Sequence, residues 1–370
     1  MPPERSRGAE AWLLLNASGL TPRRQMLLLE AFESPEAVFG ASNEQLHSVE
    51  GIRGLHVSKL REAEAAVDVG AIVDRLAELQ AQIVTIRDEA YPKLLKEIYD
   101  PPPVLFVHGT LERRDDLAVG IVGTRKRTPY GEMVAEKLAG ELVRRGFTIV
   151  SGLAMGIDAD AHRGALEAGG RTIGVLACGI DVNYPSVHAG LKDEIAASGA
   201  VVTELALGTR PARERFPARN RIISGIALGV VVVEAPTKSG ALITARLAAE
   251  QGREAFAIPG NVTSPESRGC HALIRDGATL VEVAEDVVEG LGIMLKAVPE
   301  REPQQERQRK LDELPADQLR VLERLTHQPR NVDDVIAELE VPPAQVTSAL
   351  MLLEVKGLVR RFPGNQFVRI

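Results

Sequence analysis

Cysteine is scarce in this chain: Cys178 and Cys270 are the two thiols among 370 residues. Two thiols cannot build a zinc site by themselves. Both read as reduced, small buried residues of a cytosolic protein. Aromatic residues are also few, at 4%, against 45% apolar residues in all. The core must therefore be aliphatic, as α/β proteins rich in Ala, Val, Leu and Gly have it. No apolar run approaches the roughly 18 residues of a membrane span. The polar opening MPPERSRGAE does not read as a secretory signal. Net positive charge is lacking: the formal value is -7, which argues against coating duplex DNA by bulk charge. It leaves room for one focused basic groove. The glycine-rich loops lack GxGxxG and the lysine of a P-loop, so neither common nucleotide fingerprint is present.

Positive charge is instead concentrated in one place. The stretch TRPARERFPARNRIISG gathers Arg210, Arg213, Arg215, Arg219 and Arg221 around Phe216. Guanidinium forks match phosphate, and an aromatic face accepts any unpaired base. Together they are what a groove for single-stranded nucleic acid needs. The alternative is that some of these arginines pair with Glu204, Glu214 or Glu234 and only solvate a loop. Asn220, among apolar neighbours, reads as a tie on loop backbone.

Read in order, the chain divides into four parts. Residues 1–75 carry apolar positions at helical spacing. Within them Gly51 and Gly54 bracket a tight turn of helix-hairpin-helix type, with nucleic-acid contact there left open. Residues 76–294 begin with two short strands, AQIVTIRD and PVLFVHG, expected to extend the sheet that follows. Apolar strands then alternate with helices, which predicts a Rossmann-like, doubly wound, mainly parallel sheet. Ligands of such sheets bind beyond the carboxyl ends of the strands. Residues 295–310, charged and rich in Pro and Gln, read as a linker. Residues 311–370 give three helices and a hairpin turning at Pro363, Gly364 and Asn365, a winged helix. Its acidic balance favours protein interaction or dimer support over sequence-specific DNA reading.

Four loops fall at the strand ends. The first holds Gly123, Thr124, Arg125 and Arg127 near a helix N-terminus, where anions are favoured. The second holds Ser151 and Gly152 in a tight turn, with Asp158 as a helix cap. The third carries Tyr184, a stacking residue or a turn residue. In the fourth, Ser239 caps a helix whose first N–H groups, at Gly240 and Ala241, make a second anion pocket with Thr244. Asp158, Asp160 and His162 also permit a metal or hydrolytic reading, but capping and solvation of a helix start is the simpler one. No nucleophile–base set is apparent, so the loops describe an anion-binding crevice without catalysis, metal or cofactor.

The ordered motifs VGTR, SGLAMGID, GIDVNYP, FPARNRIISG, SGALITARLAAEQGREAFAIPG and GCHALIRDGA resemble the DNA-processing protein A family, DprA or Smf. The resemblance covers residues 80–290, and the flanks fit the long form with a sterile-alpha-motif-like N-terminal domain and a C-terminal winged helix. It implies a cytoplasmic, cofactor-free homodimer that binds and protects single-stranded DNA and loads the RecA recombinase during natural transformation, with weak duplex binding left open. By motif, Arg125, Arg213 and Phe216 take the family's contact positions. The basic residue that some members carry after Tyr-Pro is Ser186 here, for which Lys192 or the 210–221 run would compensate. Family dimer contacts map near Leu273 and Ile274. The fold also resembles phosphoribohydrolases, but TKSGALITARL lacks their paired glycines and has Arg246 near the place of their acid. A third reading is an adaptor that does not bind DNA.

Overall fold

The protein is described here by a computed structural model, covering residues 4–292, 314–325, 330–339, 341–356, 358–362 and 366–369. It divides into two compact units, Met1–Lys296 and Ala297–Ile370.

The first unit opens with helices α1 to α6, at Glu4–Ala17, Pro22–Phe32, Pro35–Gly40, Asn43–His47, Gly54–Ala66 and Val69–Glu78. Polar caps start several of them. Ser34 accepts from the Ala37 amide, and Ser42 forms a capping box with Gln45, each satisfying amides that a helix start leaves unpaired. The turn before α5 runs through Gly51 at φ +88°, a left-handed conformation that favours glycine. These helices are not a separate body. Trp12, Leu28 and Leu60 lie in one apolar cluster with Leu95, Val104 and Ile222. The expected border at 75/76 therefore falls inside one packed unit.

Next come β1 (Ala81–Thr85), α7 (Lys93–Lys96) and β2 (Val104–Gly109). The parallel strands follow: β3 (Ala118–Val122), β4 (Thr148–Ser151), β5 (Thr172–Val175), β6 (Ala200–Thr203), β7 (Gly229–Val232), β8 (Glu254–Ala257) and β9 (Thr279–Leu280). Helices α8 (Pro129–Arg144), α9 (Ile157–Glu167), α10 (Ala189–Ser198), α11 (Arg215–Ile226), α12 (Gly240–Glu250), α13 (Arg268–Arg275) and α14 (Ala284–Gly290) connect and follow them. Spatial order is β1-β2-β6-β5-β4-β3-β7-β8-β9. Strands β3 to β9 pair in parallel, while β1 and β2 join antiparallel beside β6. The two early strands do extend the sheet, as their sequence implied.

The strands read as unbroken apolar runs because both faces are covered. Val119 and Ile121 of β3 pack with α8 residues Leu138 and Leu142, whereas Ala118 and Val122 join the opposite core with Ile223 and Leu242. Alternate side chains thus serve two cores, each fully buried Val or Ile contributing about 1.5–3 kcal/mol. The chain moves outward from β3 through β6, then returns to place β7 on the other side of β3. That reversal opens a crevice above the carboxyl ends.

The second unit holds α15 (Ala316–Arg324), β10 (Arg330–Asn331), α16 (Val332–Leu339), α17 (Pro343–Val355), β11 (Val359–Phe362) and β12 (Gln366–Arg369). Its strands run in the order β10-β12-β11, with β11 and β12 antiparallel. Val321, Val335, Leu350 and Phe367 share its core. Three helices and a small sheet make the expected winged helix. The linker 295–310 and the hairpin tip 363–365 lie outside the described residues. Among the described residues no helix is long and apolar enough to cross a membrane.

Candidate nucleic-acid interface

A cavity of about 280 Å³ lies where the strand order reverses, lined from four elements. Val122 ends β3, Gly123 and Arg125 follow it, and Ala154 and Asp158 flank the start of α9. Phe216, Arg219, Asn220 and Ile223 come from α11, and Gly240, Ala241 and Thr244 from α12. The basic run, the first loop and the fourth loop therefore meet in one place.

Close packing at the strand ends explains their glycines. A Cβ on Gly123 would stand 2.5 Å from Ile157, so only glycine lets the end of β3 pass beneath α9. Gly156, at φ +82°, would meet the Thr124 carbonyl at 2.4 Å. Thr124 is held in turn: its amide donates to the Glu234 carbonyl at 2.7 Å, and its hydroxyl accepts from the Lys126 amide at 3.2 Å.

At the mouth, the Arg125 guanidinium lies 4.7 Å over the Phe216 ring. Tyr184, 40% exposed, tilts against the same ring at 5.8 Å between centroids. Cation and ring attract through the ring quadrupole, so the three side chains hold one another in a row. Tyr184, which its sequence context left between two roles, is thus part of this aromatic edge. Arg210 and Arg213 are exposed, and no carboxylate pairs with either among the described residues. Arg215 folds back to donate to the Arg210 carbonyl.

Beneath them lies Arg219, 5% exposed. Its Nη1 donates to the Val175 carbonyl, and its Nε has no hydrogen-bond partner. Burial pulls the guanidinium down to about 10, opposed by the nearby Asp158 carboxylate, so it is still a cation at neutral pH. Burial likewise raises Asp158, with Arg219 acting against it. Asp158 is not the cap itself: Gly156 occupies that position, and Asp158 sits in the first turn, accepting from the Ala154 amide at 3.4 Å. Gly152 has a related purpose. A Cβ there would stand 2.1 Å from the Arg219 guanidinium, so the glycine makes way for an arginine rather than for a ligand.

Several expected contact residues are committed elsewhere. Arg221 is buried between Asp100 at 3.0 Å and Glu204 at 2.6 Å. It ties α11 to the segment after α7, as the pairing alternative for the arginine run anticipated. Lys192, 6% exposed, donates to the Ile180 carbonyl at 2.5 Å and to Asn183 at 3.1 Å. It cannot replace the missing basic residue at Ser186. The Ser151 hydroxyl is spent on the Ile121 carbonyl inside the sheet. Arg127 forms ion pairs with Glu132 and Asp160. Ser239 caps α12 by accepting from the Ala241 amide at 3.2 Å, so that amide is not free for an anion. The Asn220 amide donates to the Gly240 carbonyl at 3.4 Å, the backbone tie its setting suggested. Gly240 and the buried Thr244 stay on the cavity wall.

The hydrolytic set is not assembled. His162 is 0% exposed and bonds Thr172 Oγ1 at 2.6 Å, and burial lowers it to about 3. Asp160 is ion-paired to Arg127 and Arg163. Among the described residues Glu132, Glu136 and Asp160 approach one another, and Arg127 and Arg163 pair with Glu132 and Asp160. Glu234 is the residue that sequence reasoning undervalued. It accepts from the Thr128 amide at 2.9 Å and the Thr128 hydroxyl at 2.6 Å, fixing the start of α8. Its one available signal was an acid ending the buried run GVVVVEA.

Comparison with known proteins adds the lineage. Residues 82–292 match the profile of the DNA recombination-mediator protein A family, and residues 305–365 match the DprA winged helix domain. Protein Smf of Synechocystis is 35% identical over 393 residues, spanning 97% of this chain and 98% of that protein. The crystal structure of DprA from Streptococcus pneumoniae superposes with a TM-score of 0.67 at 37% identity, covering 75% of this chain and 95% of that one. A Helicobacter pylori DprA structure, described for its single-stranded DNA binding mode, gives 0.51 at 31% identity, covering 57% and 95%. A full-length relative and matches to both units agree with the motifs set out above, and the chain belongs to the DNA recombination-mediator protein A family.

Proposed function

We propose that this chain is a cytoplasmic single-stranded DNA-binding protein that protects the strand and loads the RecA recombinase onto it during natural transformation. The observation that carries this reading is the crevice itself. A packed Arg125–Phe216–Tyr184 edge stands over a buried, incompletely partnered Arg219. Stacking on a ring tolerates any base, and unpaired guanidinium groups donate to the phosphates between bases. The exposed Arg210 and Arg213 add positive charge in the segment that leads to Phe216. Duplex DNA presents no free base face to Phe216, so a single strand is preferred. The Helicobacter pylori relative, whose structure is described for its single-stranded DNA binding mode, supports the same ligand. The protein acts without a cofactor and by binding rather than by catalysis. Hydrolysis is disfavoured because His162 faces Thr172 inside the core.

The protein works as a homodimer, with α13 as the contact. Leu273 and Ile274 are half-buried there, and Leu280 and Val283 beyond it are exposed. Two crevices held side by side would gain avidity on one strand.

Fluorescence anisotropy with labelled oligothymidine and a matched duplex, over a salt series, tests the reading. The single strand should win, and its affinity should fall with salt. Equal or absent binding of both would remove the crevice as a DNA site and bring forward an adaptor role. RecA loading is tested separately, by whether this protein shortens the lag of RecA filament growth on a strand. An unchanged lag would confine the function to protection.

A further inference from the structure

A second cavity, of about 520 Å³, has Glu234 on its wall, just past the junction between β3 and β7. The Thr124 amide donates to the Glu234 carbonyl at that junction, so Gly123 borders one cavity and Glu234 the other. Its chemistry is the reverse of the crevice. No arginine or lysine lines it, and the single charged group on its wall is the Glu234 carboxylate, on a residue 2% exposed. A phosphate would be repelled there. A group that offers N–H donors would be held.

The site is built. Each Glu234 oxygen accepts one bond from Thr128, through Oε2 from the amide and through Oε1 from the hydroxyl. A carboxylate oxygen can accept two, so one position stays available on each. Gly131 is obligatory beside it, since a Cβ would stand 2.2 Å from Oε2. Asn261 also lines the cavity, and its carbonyl oxygen is turned to its own loop, accepting from Thr263 at 2.9 Å through the amide and 2.8 Å through the hydroxyl. That orientation leaves the Asn261 NH₂ to donate. Ser264 lies beside it on the wall.

The geometry points to this cavity as a base pocket that selects guanine in the single strand crossing the neighbouring crevice. Guanine presents two adjacent donors, N1–H and the 2-amino group, next to the acceptor O6. A fixed carboxylate and an amide donor lining one cavity offer the complement of that edge. Adenine and cytosine offer one amino group beside an acceptor, and thymine one N–H between two acceptors, so each leaves part of the carboxylate unmatched. This inference rests on the reading of the crevice as the single-stranded DNA site. It adds a sequence preference to a protein whose stacking and phosphate contacts carry none.

The test uses the full chain and three labelled oligothymidine strands carrying thymine, guanine or inosine at every fourth position. Guanine should improve affinity by about tenfold over thymine. Inosine, which lacks the 2-amino group, should lose most of that gain. Glu234→Gln should remove the preference. Ser264→Phe, which fills the cavity without touching the Thr128 bonds, should remove it too and leave the thymine strand bound as before. Equal affinity of wild type for all three strands overturns this inference alone. So does a guanine preference that survives both substitutions, because it then lies elsewhere. Failure of every strand to bind removes the crevice reading and this inference together. Free guanosine is the remaining arm: tight binding of the nucleoside with no gain from guanine in the strand would make the pocket a nucleoside site instead.

Discussion

Helix α11 has two faces that share one arginine-rich sequence and serve different ends. On the crevice face, Phe216 and Arg219 leave chemistry unspent: a ring edge open to solvent and a guanidinium nitrogen without a partner. On the opposite face, Arg221 is closed off by Asp100 and Glu204. Gly225 lets α7 pack so closely that a Cβ would meet Leu95 at 2.8 Å. The two arginines stand two residues apart and so point to different sides of the helix. What separates them is ion pairing: Arg221 has two carboxylates within 3.0 Å, whereas Arg219 has Asp158 near it without an ion pair among the described residues. Arg221 also keeps one nitrogen, Nη1, without a hydrogen-bond partner, so it is the two ion pairs, not complete hydrogen bonding, that make it structural. Arg219 keeps its charge on the wall of the crevice.

Removing Arg221 is the strongest way to break this contrast. Arg221→Ala leaves the Glu204 carboxylate buried without its cation and should cost about 3–5 kcal/mol of stability. Denaturant melting reads the loss. Affinity of the folded fraction for oligothymidine should not change, and a matching loss of binding would erase the distinction between the faces.

A smaller effect tests the hydrolytic reading through stability. His162 has a folded pKa of about 3, below its unfolded value near 6.5. The unfolded chain therefore takes the proton first. Stability from this group is complete above about pH 6.5 and declines as pH falls toward 3. At pH 5 the loss should be about 2 kcal/mol. His162→Asn should flatten that part of the pH profile in thermal melts, and an unaltered slope would mean that another group sets it.

On the crevice face the same logic predicts loss of binding without loss of fold. Phe216→Ala should weaken oligothymidine binding by about 1–3 kcal/mol, with an unchanged melting temperature. Arg125→Ala should follow it, because the guanidinium and the ring hold each other. If either variant melts early while its folded fraction binds normally, the stack is structural.

The smallest expected effect is at the rim. Arg213→Ala should lower the slope of log affinity against log salt by about 0.7, the share of one phosphate on a single strand. Arg221→Ala should leave that slope alone. Equal slopes for wild type and Arg213→Ala would take Arg213 off the path of the DNA.

Much of this was legible in the sequence because it is local. Apolar runs covered on both faces give the parallel sheet, with Val119 and Ile121 serving one core and Ala118 and Val122 the other. Glycine at Gly123 and Gly156 marks close approach of backbone. The concentration of arginine around Phe216 marks a place for anions in an otherwise acidic chain. What sequence order cannot express is which side of an element a side chain faces and what stands there. Only the packed structure turns Arg221 toward Glu204 and Lys192 toward the Ile180 carbonyl. Only packing folds the N-terminal helices into the same core as the sheet, and places Glu234, over a hundred residues from Thr128, at the foot of a second cavity. Charge and periodicity belong to the chain, whereas desolvation and partner choice arise when distant segments meet.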